Sequence, residues 1–238
     1  MQKECFMQKL TVKQIRVIFR RNNLDRYFCL ELIRLLDLYK ETFKINTELR
    51  RVRFLAQAVH ETLINRQGKV IPRENLNYSP AGLMRISKFF RTHEALAFKY
   101  GRTKAHKANV KAIANLMYAD KNRSKSYKLG NIWAGDGYAF RGMFMLQSTG
   151  RTNVMKDINY IKKMTGINLL GETRHPYPKA VNSYTVYIIG GMAHWHRTGM
   201  YKLRSTNAIT NKLNKGLPES MKRERLATAL RVKKYLMG

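Results

Sequence analysis

Residues 46–64, NTELRRVRFLAQAVHETLI, decide how the chain folds. Asn46 or Thr47 offers a side-chain oxygen for a helix N-cap, and Glu48 places a carboxylate in the first turn. At about 100° per residue, Val52, Leu55, Ala56, Val59 and Leu63 fall within one stripe, so a core-packed helix is expected. Glu61 lies about 180° from Val52, with Gln57 and Phe54 beside it. By that pattern alone Glu61 is a solvated charge on the face turned from the core. His60 next to it raises two other readings, a zinc site or a catalytic acid. A zinc protease helix needs H-E-x-x-H, which sets two imidazoles on one face. Here Ile64 stands where the second histidine belongs. His194 and His196 in HWH bring no evident third ligand. No metal is expected, and surface charge and catalysis remain open.

The helical period recurs on both sides of this stretch. LTVKQIRVIFRR (10–21) and DRYFCLELIRLLDLYKETF (25–43) read as helices, the second with Asp25 as N-cap. SPAGLMRISKFF (79–90) has Ser79 as N-cap and Pro80 at the first helical position. HKANVKAIANLMYA (106–119), NVMKDINYIKKMTG (153–166), YTVYIIGGMAHWHRTGM (184–200), STNAITNKLNKGL (205–217) and ESMKRERLATALRVKKYL (219–236) follow. Between residues 122 and 150 the period breaks into glycine-containing turns, KLGNIWAGDGYAFRGMFMLQSTG, and irregular segments of that length are often functional. YAFRGMFML (138–146) is the best candidate for a short hairpin piece. With no repeat, linker or break in composition, the expectation is a single, mainly α-helical domain over residues 1–238.

Charge sets the other boundary condition. Forty-six Lys and Arg face fifteen Asp and Glu, a formal net charge of +31 spread along the chain. Such an excess points to a polyanionic partner, nucleic acid or a bacterial envelope, and composition does not choose between them. No zinc-finger, basic-zipper or RNA-recognition pattern is present. Cys5 and Cys29 form no CxxC pair, and buried free thiols are expected rather than a disulfide framework. The N-terminal stretch lacks the apolar core of a leader peptide, and no run of eighteen apolar residues is present. The expectation is a product made in the cytoplasm without membrane insertion.

Six segments in order carry a family resemblance: FLAQAVHET (54–62), ENLNYSPAGL (74–83), IANLMYADKNR (113–123), AGDGYAFRG (134–142), LQSTGRTN (146–153) and ITNKLNKGL (209–217). Together they resemble glycoside hydrolase family 19, most nearly the bacteriophage endolysins of that family, relatives of plant chitinases. The resemblance runs from about Leu10 to Leu236. It implies a lysozyme-like, two-lobed helical domain with a central cleft, little or no β-structure, and no cofactor.

It also implies roles. Glu61, in the H-E-[ST] position, is the general acid, and Glu74, in the loop before N-L-N-Y-S, is the general base. A glycosidic oxygen leaves poorly unless protonated, and water attacks poorly unless deprotonated. An inverting enzyme therefore sets two carboxyls about 6.5–9.5 Å apart with water between. A helix-borne Glu61 is rigid, and a loop-borne Glu74 is free to move over the substrate. Gln147 and Thr149 inherit the positioning of water and sugar. Asn153 inherits a hydrogen bond to an N-acetyl sugar, with helix capping as an additional role. Asn214 takes the asparagine of the C-terminal element. Arg225, or Arg223 if the alignment slips, is the buried arginine that tunes the acid, and His60 is a supporting residue.

Some positions depart from the pattern. TLINRQGKVIPR (62–73) is longer than in phage relatives, Arg73 replaces an acid, and Met143-Phe144, Phe140 and Val154 replace the family's residues around the glutamine. The resemblance implies hydrolysis of β-1,4 bonds in peptidoglycan glycan strands. Anionic envelope polymers, and secondarily non-specific nucleic acid, would be the partners of the basic surface. The setting would be wall lysis after release from the host cytoplasm, or local wall opening from a virion. Two alternatives stand: a virion-associated wall- or DNA-binding module with little catalysis, and a chitinase on poly-N-acetylglucosamine.

Overall fold

The computed structural model describes residues 9–171, 177–180 and 182–237. It is mainly α-helical. Among the described residues the helices are α1 (Val12–Phe19), α2 (Arg26–Leu38), α3 (Glu48–Glu61), α4 (Pro80–Ile86), α5 (Lys88–Thr92), α6 (Glu94–Tyr100), α7 (Val110–Tyr118), α8 (Asp136–Ala139), α9 (Arg151–Thr165), α10 (Tyr184–Arg197), α11 (Thr206–Leu213) and α12 (Glu219–Met237). The only regular strands among those residues are β1 (Leu63–Ile64) and β2 (Val70–Ile71), an antiparallel pair. None of these helices is long and apolar enough to cross a membrane.

Local chemistry accounts for the helix starts. Asp25 accepts from the backbone N–H groups of Tyr27 and Phe28, and Ser79 accepts from Gly82 ahead of Pro80. Thr47, not Asn46, caps α3, taking the N–H of Arg50. The segment 79–90 is not one helix. It breaks at Ser87, whose extended backbone (ψ 121°) turns α4 into α5. EALAFKY (94–100), which shows no clear sequence period, forms α6.

Two separate hydrophobic cores form. The larger joins α1, α2, α3, α9, α10, α11 and α12 around Phe28, Phe54, Tyr187 and Trp195. The smaller joins α4–α7 around Leu76, Leu83, Phe90, Ile113 and Met117. The chain passes from one to the other between Val70 and Leu76, and Glu74 lies on that span. This is the expected lysozyme-like, two-lobed arrangement.

The amphipathic reading of α3 needs correction. Val52, Leu55 and Ala56 are buried as expected, but so are Phe54, Gln57, Ala58 and Arg51 on the opposite side. The Phe54 ring meets Trp195 of α10 edge-on, with centroids 5.8 Å apart, and α12 packs along the helix. A helix enclosed on both faces is a core element, so Glu61 does not sit on a solvated face.

The expected hairpin at 138–146 does not form either. Tyr138 and Ala139 end α8, and Met143 makes only isolated bridges to Arg73 and Ser148. The hairpin lies instead at 63–71, where Gly68 (φ 81°) turns against the backbone of Asn23. Cys29 is a buried free thiol that burial pushes up to about 11; Cys5 lies outside the described residues.

The glycine pair of α10 fixes the irregular 143–148 turn. Gly190 lies under the Phe144 ring and Gly191 under Met145, so a Cβ at either site would overlap them. Phe144 (φ 64°) and Gln147 (φ 56°) occupy the left-handed region, which costs about 1–3 kcal/mol each and persists only where packing imposes it. Gly190→Ala is expected to destabilise the protein by about 1–3 kcal/mol through overpacking, measured by chemical denaturation. Wild-type stability in that variant would mean that the close approach is unimportant.

Candidate active site

Glu61 ends α3, and its carboxylate is held from a distant part of the chain. Arg225 Nη2, on α12, donates to Glu61 Oε1 at 2.5 Å, and Arg225 Nη1 donates to Gln57 Oε1 at 2.7 Å. Gln57, one turn earlier on α3, donates to Thr210 Oγ1 of α11 at 3.0 Å. Arg225 is buried while Arg223 is exposed, so the arginine that meets Glu61 is Arg225. His60 Nε2 lies 2.9 Å from Thr228 Oγ1. Burial first, then the charge of Arg225, holds its imidazole below the ordinary histidine range, which favours a neutral packing partner.

Glu74 is a loop residue that cannot swing freely, contrary to expectation. Tyr118 Oη, at the end of α7, lies 2.9 and 2.7 Å from its two carboxylate oxygens and donates to them. The Gly142 N–H donates to Oε2 at 3.3 Å, while the Glu74 N–H donates to the Gly142 carbonyl at 2.8 Å. Arg141 Nε donates to the Glu74 carbonyl at 3.2 Å. Burial raises the Glu74 carboxyl above the usual carboxylate range, against the opposing pull of the Tyr118 and Gly142 hydrogen bonds and of Arg141. Neighbouring Arg73 reaches the Tyr138 and Ala139 carbonyls and is lowered to about 10, chiefly by burial. The departure from an acid at position 73 thus ties the Glu74 loop to the end of α8.

The two acids open onto one cleft of about 440 Å³, lined also by His60, Asn75, Tyr78 and Gln147. Gln147 links its sides. Its Nε2 donates to the Glu61 carbonyl at 3.2 Å. Between its Oε1 and Glu74 lies Gly142, where a Cβ would sit 2.5 Å from Gln147 Oε1 and 3.3 Å from Glu74 Oε2. A bare glycine is what lets these groups approach. The turn beneath is anchored by Ser148, which donates to Asp157, and Arg197 donates to the other Asp157 oxygen at 2.6 Å. His194 Nδ1 lies 3.0 Å from both Ser148 Oγ and the carboxylate oxygen that Ser148 uses. Serine and histidine meeting the same oxygen is an anchoring arrangement and not a nucleophilic relay.

Three expected residues stand apart from this cleft's lining. Thr149 Oγ1 turns back to the Gln147 carbonyl at 3.5 Å. Asn153 is exposed and donates to the Thr149 carbonyl at 3.3 Å. It does not cap its helix, because Gly150 holds the N-cap position of α9. Asn214 is the exposed C-cap of α11, where its side chain accepts from the Gly216 N–H at 3.1 Å. Tyr118 and Gly142 were not singled out from the sequence, and Gln57 was noted beside Glu61 without a role. Tyr118 lies within IANLMYADKNR, but no chemistry marks it until its hydroxyl is seen on Glu74. Among the described residues no group of three or more His, Cys, Asp or Glu is placed to hold a metal.

The helical, two-lobed fold is lysozyme-like, and Glu61 and Glu74 open onto one of its clefts. The chain is 28% identical over 185 residues to a Haemophilus influenzae protein described as a glycosyl hydrolase family 19 domain-containing protein, covering 78% of this chain and 80% of that one. No family model matches the chain. The similarity supports a glycoside hydrolase at the level of family.

The Glu61–Arg225 pair is testable by itself. Arg225→Ala leaves Glu61 and Gln57 without their donor and is expected to cost about 3 kcal/mol in chemical denaturation. The double variant Arg225→Ala/Glu61→Gln should cost less in total than the two single changes summed, because the contacting residues are coupled. Strict additivity would show that the pair contributes nothing.

Proposed function

We propose that the chain hydrolyses β-1,4 glycosidic bonds of peptidoglycan by an inverting, two-carboxylate reaction. The observation that carries this reading is a single cleft with Glu61 and Glu74 in different surroundings and Gln147 between them. Glu61 donates a proton to the glycosidic oxygen as its bond to the anomeric carbon breaks. Glu74 takes a proton from the water that attacks the opposite face, and Gln147 orients that water. Arg225 fixes the Glu61 carboxyl, and Tyr118 and Gly142 fix Glu74, so each acid is preorganised before substrate enters. The basic surface concentrates the protein on anionic envelope polymers, with non-specific nucleic-acid contact secondary. The setting is wall lysis of the kind performed by phage endolysins. Thr149, Asn153 and Asn214 do not line the cleft, and they take part only if substrate reaches beyond it.

Glu61→Gln and Glu74→Gln are each expected to lower release of reducing sugar from purified sacculi by about 10²–10⁴-fold, with the folded circular dichroism spectrum retained. Full activity in either would end the mechanism. Chitin oligomers run in parallel separate a chitinase from a murein hydrolase by which polymer is cut faster. Wall pelleting without sugar release from either polymer would favour a binding module.

The pH profile tests the assignment of roles. A base must be ionised, so activity falls as pH drops through the Glu74 value, which burial has raised. The Tyr118 hydrogen bond stabilises the ionised form and opposes that rise. Tyr118→Phe should therefore move the acid limb of kcat/KM to higher pH. If the alkaline limb moves instead, Glu74 is the acid and the roles are exchanged.

A further inference from the structure

A second and larger recess, about 940 Å³, adjoins the reaction cleft and shares Glu74 and Tyr78 with it. The two differ in charge. The reaction cleft is lined by no Lys or Arg, whereas the recess carries Lys88 and Arg91 from α5, and Lys121 and Arg123 from the turns after α7. Among the described residues Glu74 is the only carboxylate in the recess lining. Lys88, Arg91 and Lys121 are exposed and have no salt-bridge partner among the described residues. Arg123 is fixed, its Nε donating to the Tyr127 carbonyl at 2.7 Å and its Nη1 to the Met117 carbonyl at 3.2 Å. Tyr127 presents an open ring, 68% exposed, over the same recess.

We infer that this recess is a subsite for the carboxylate-bearing side arms of the strand being cut, so that the chain selects acidic glycans over neutral ones. This rests on the proposed glycosidase reading. Charge concentrated in a concavity beside the bond-cleaving pocket acts on the substituent that arrives with the sugar. Charge scattered over the outer surface only raises encounter rate. A neutral polymer has no group to satisfy four cations here. A strand whose sugars carry short peptides with free carboxylates does. Duplex nucleic acid would meet the cations as well, and the comparison of the two sacculi below separates it from a glycan side arm.

The test compares native sacculi with sacculi whose carboxylates have been converted to neutral amides, the glycan being otherwise the same. The triple variant Lys88→Gln/Arg91→Gln/Lys121→Gln changes only exposed side chains, and Arg123 is left in place because it holds the turn. Wild type is expected to prefer the native polymer in kcat/KM by about tenfold at low salt, and the variant to lose most of that preference. Equal rates on the two polymers, or an unchanged ratio in the variant, would overturn the inference. Cosedimentation of Glu61→Gln protein with the two polymers gives the same comparison without turnover, so an inactive wild type would count against the glycosidase reading while the subsite is still decided. Binding of a short DNA duplex that the triple change abolishes, with the native-to-amidated ratio unaltered, would assign the recess to nucleic acid and overturn it too.

Discussion

The ion pair between Glu61 and Arg225 is the constraint on which the rest of the arrangement depends. It joins the end of α3 to α12 across 164 positions of sequence, with Arg225 buried and Glu61 at the wall of the cleft. A guanidinium in such a place needs acceptors, and it takes two, one from Glu61 and one from Gln57. Gln57 in turn engages Thr210, so α3, α11 and α12 share one polar network. Leaving any member unsatisfied is costly, which makes the network a register pin as well as a site.

The second acid is placed by different means. Glu74 sits where the chain crosses between the two cores, and a crossing segment gains little from packing. Its position is set by hydrogen bonds to α7 through Tyr118 and to the 141–142 turn. The 143–148 turn that follows is seated against Gly190 and Gly191 of α10 through Phe144 and Met145. A single carboxylate thus reports on three elements, and Gln147 closes the circuit back to Glu61.

Much of this was legible in the sequence. The helices with strong periods and side-chain caps, α2, α3 and α4, could be placed because capping chemistry is local. The ordered segments beginning with FLAQAVHET led to both acids, and the wider resemblance led to Arg225, with Arg223 as the alternative. What failed were readings that needed tertiary context. The stripe on α3 suggested a solvated opposite face, because a periodicity argument assumes that a helix is covered on one side only; Phe54 and Gln57 are covered by α10, α11 and α12. The 138–146 stretch is rich in aromatic and apolar residues, yet its backbone is committed to the end of α8 and to turns that seat Phe144 and Met145 on Gly190 and Gly191. The hairpin at 63–71 has two-residue strands, too short for any alternation to show. Tyr118 was invisible as a functional residue since a tyrosine at the end of an apolar helix has no signature until its hydroxyl finds an acceptor.

The long separation between Glu61 and Arg225 also orders events in time. At ribosomal rates of about 5–20 residues per second, α12 follows α3 by roughly ten to thirty seconds. Through that interval the Glu61 carboxyl lacks Arg225, and Gln57 gains Thr210 of α11 only shortly before its end. The cleft therefore becomes complete only when α12 docks, after the residues of the smaller core with Tyr118 have been made. A chain interrupted before α12 would retain both acids and much of the helical scaffold, yet it would lack the group that aims one of them.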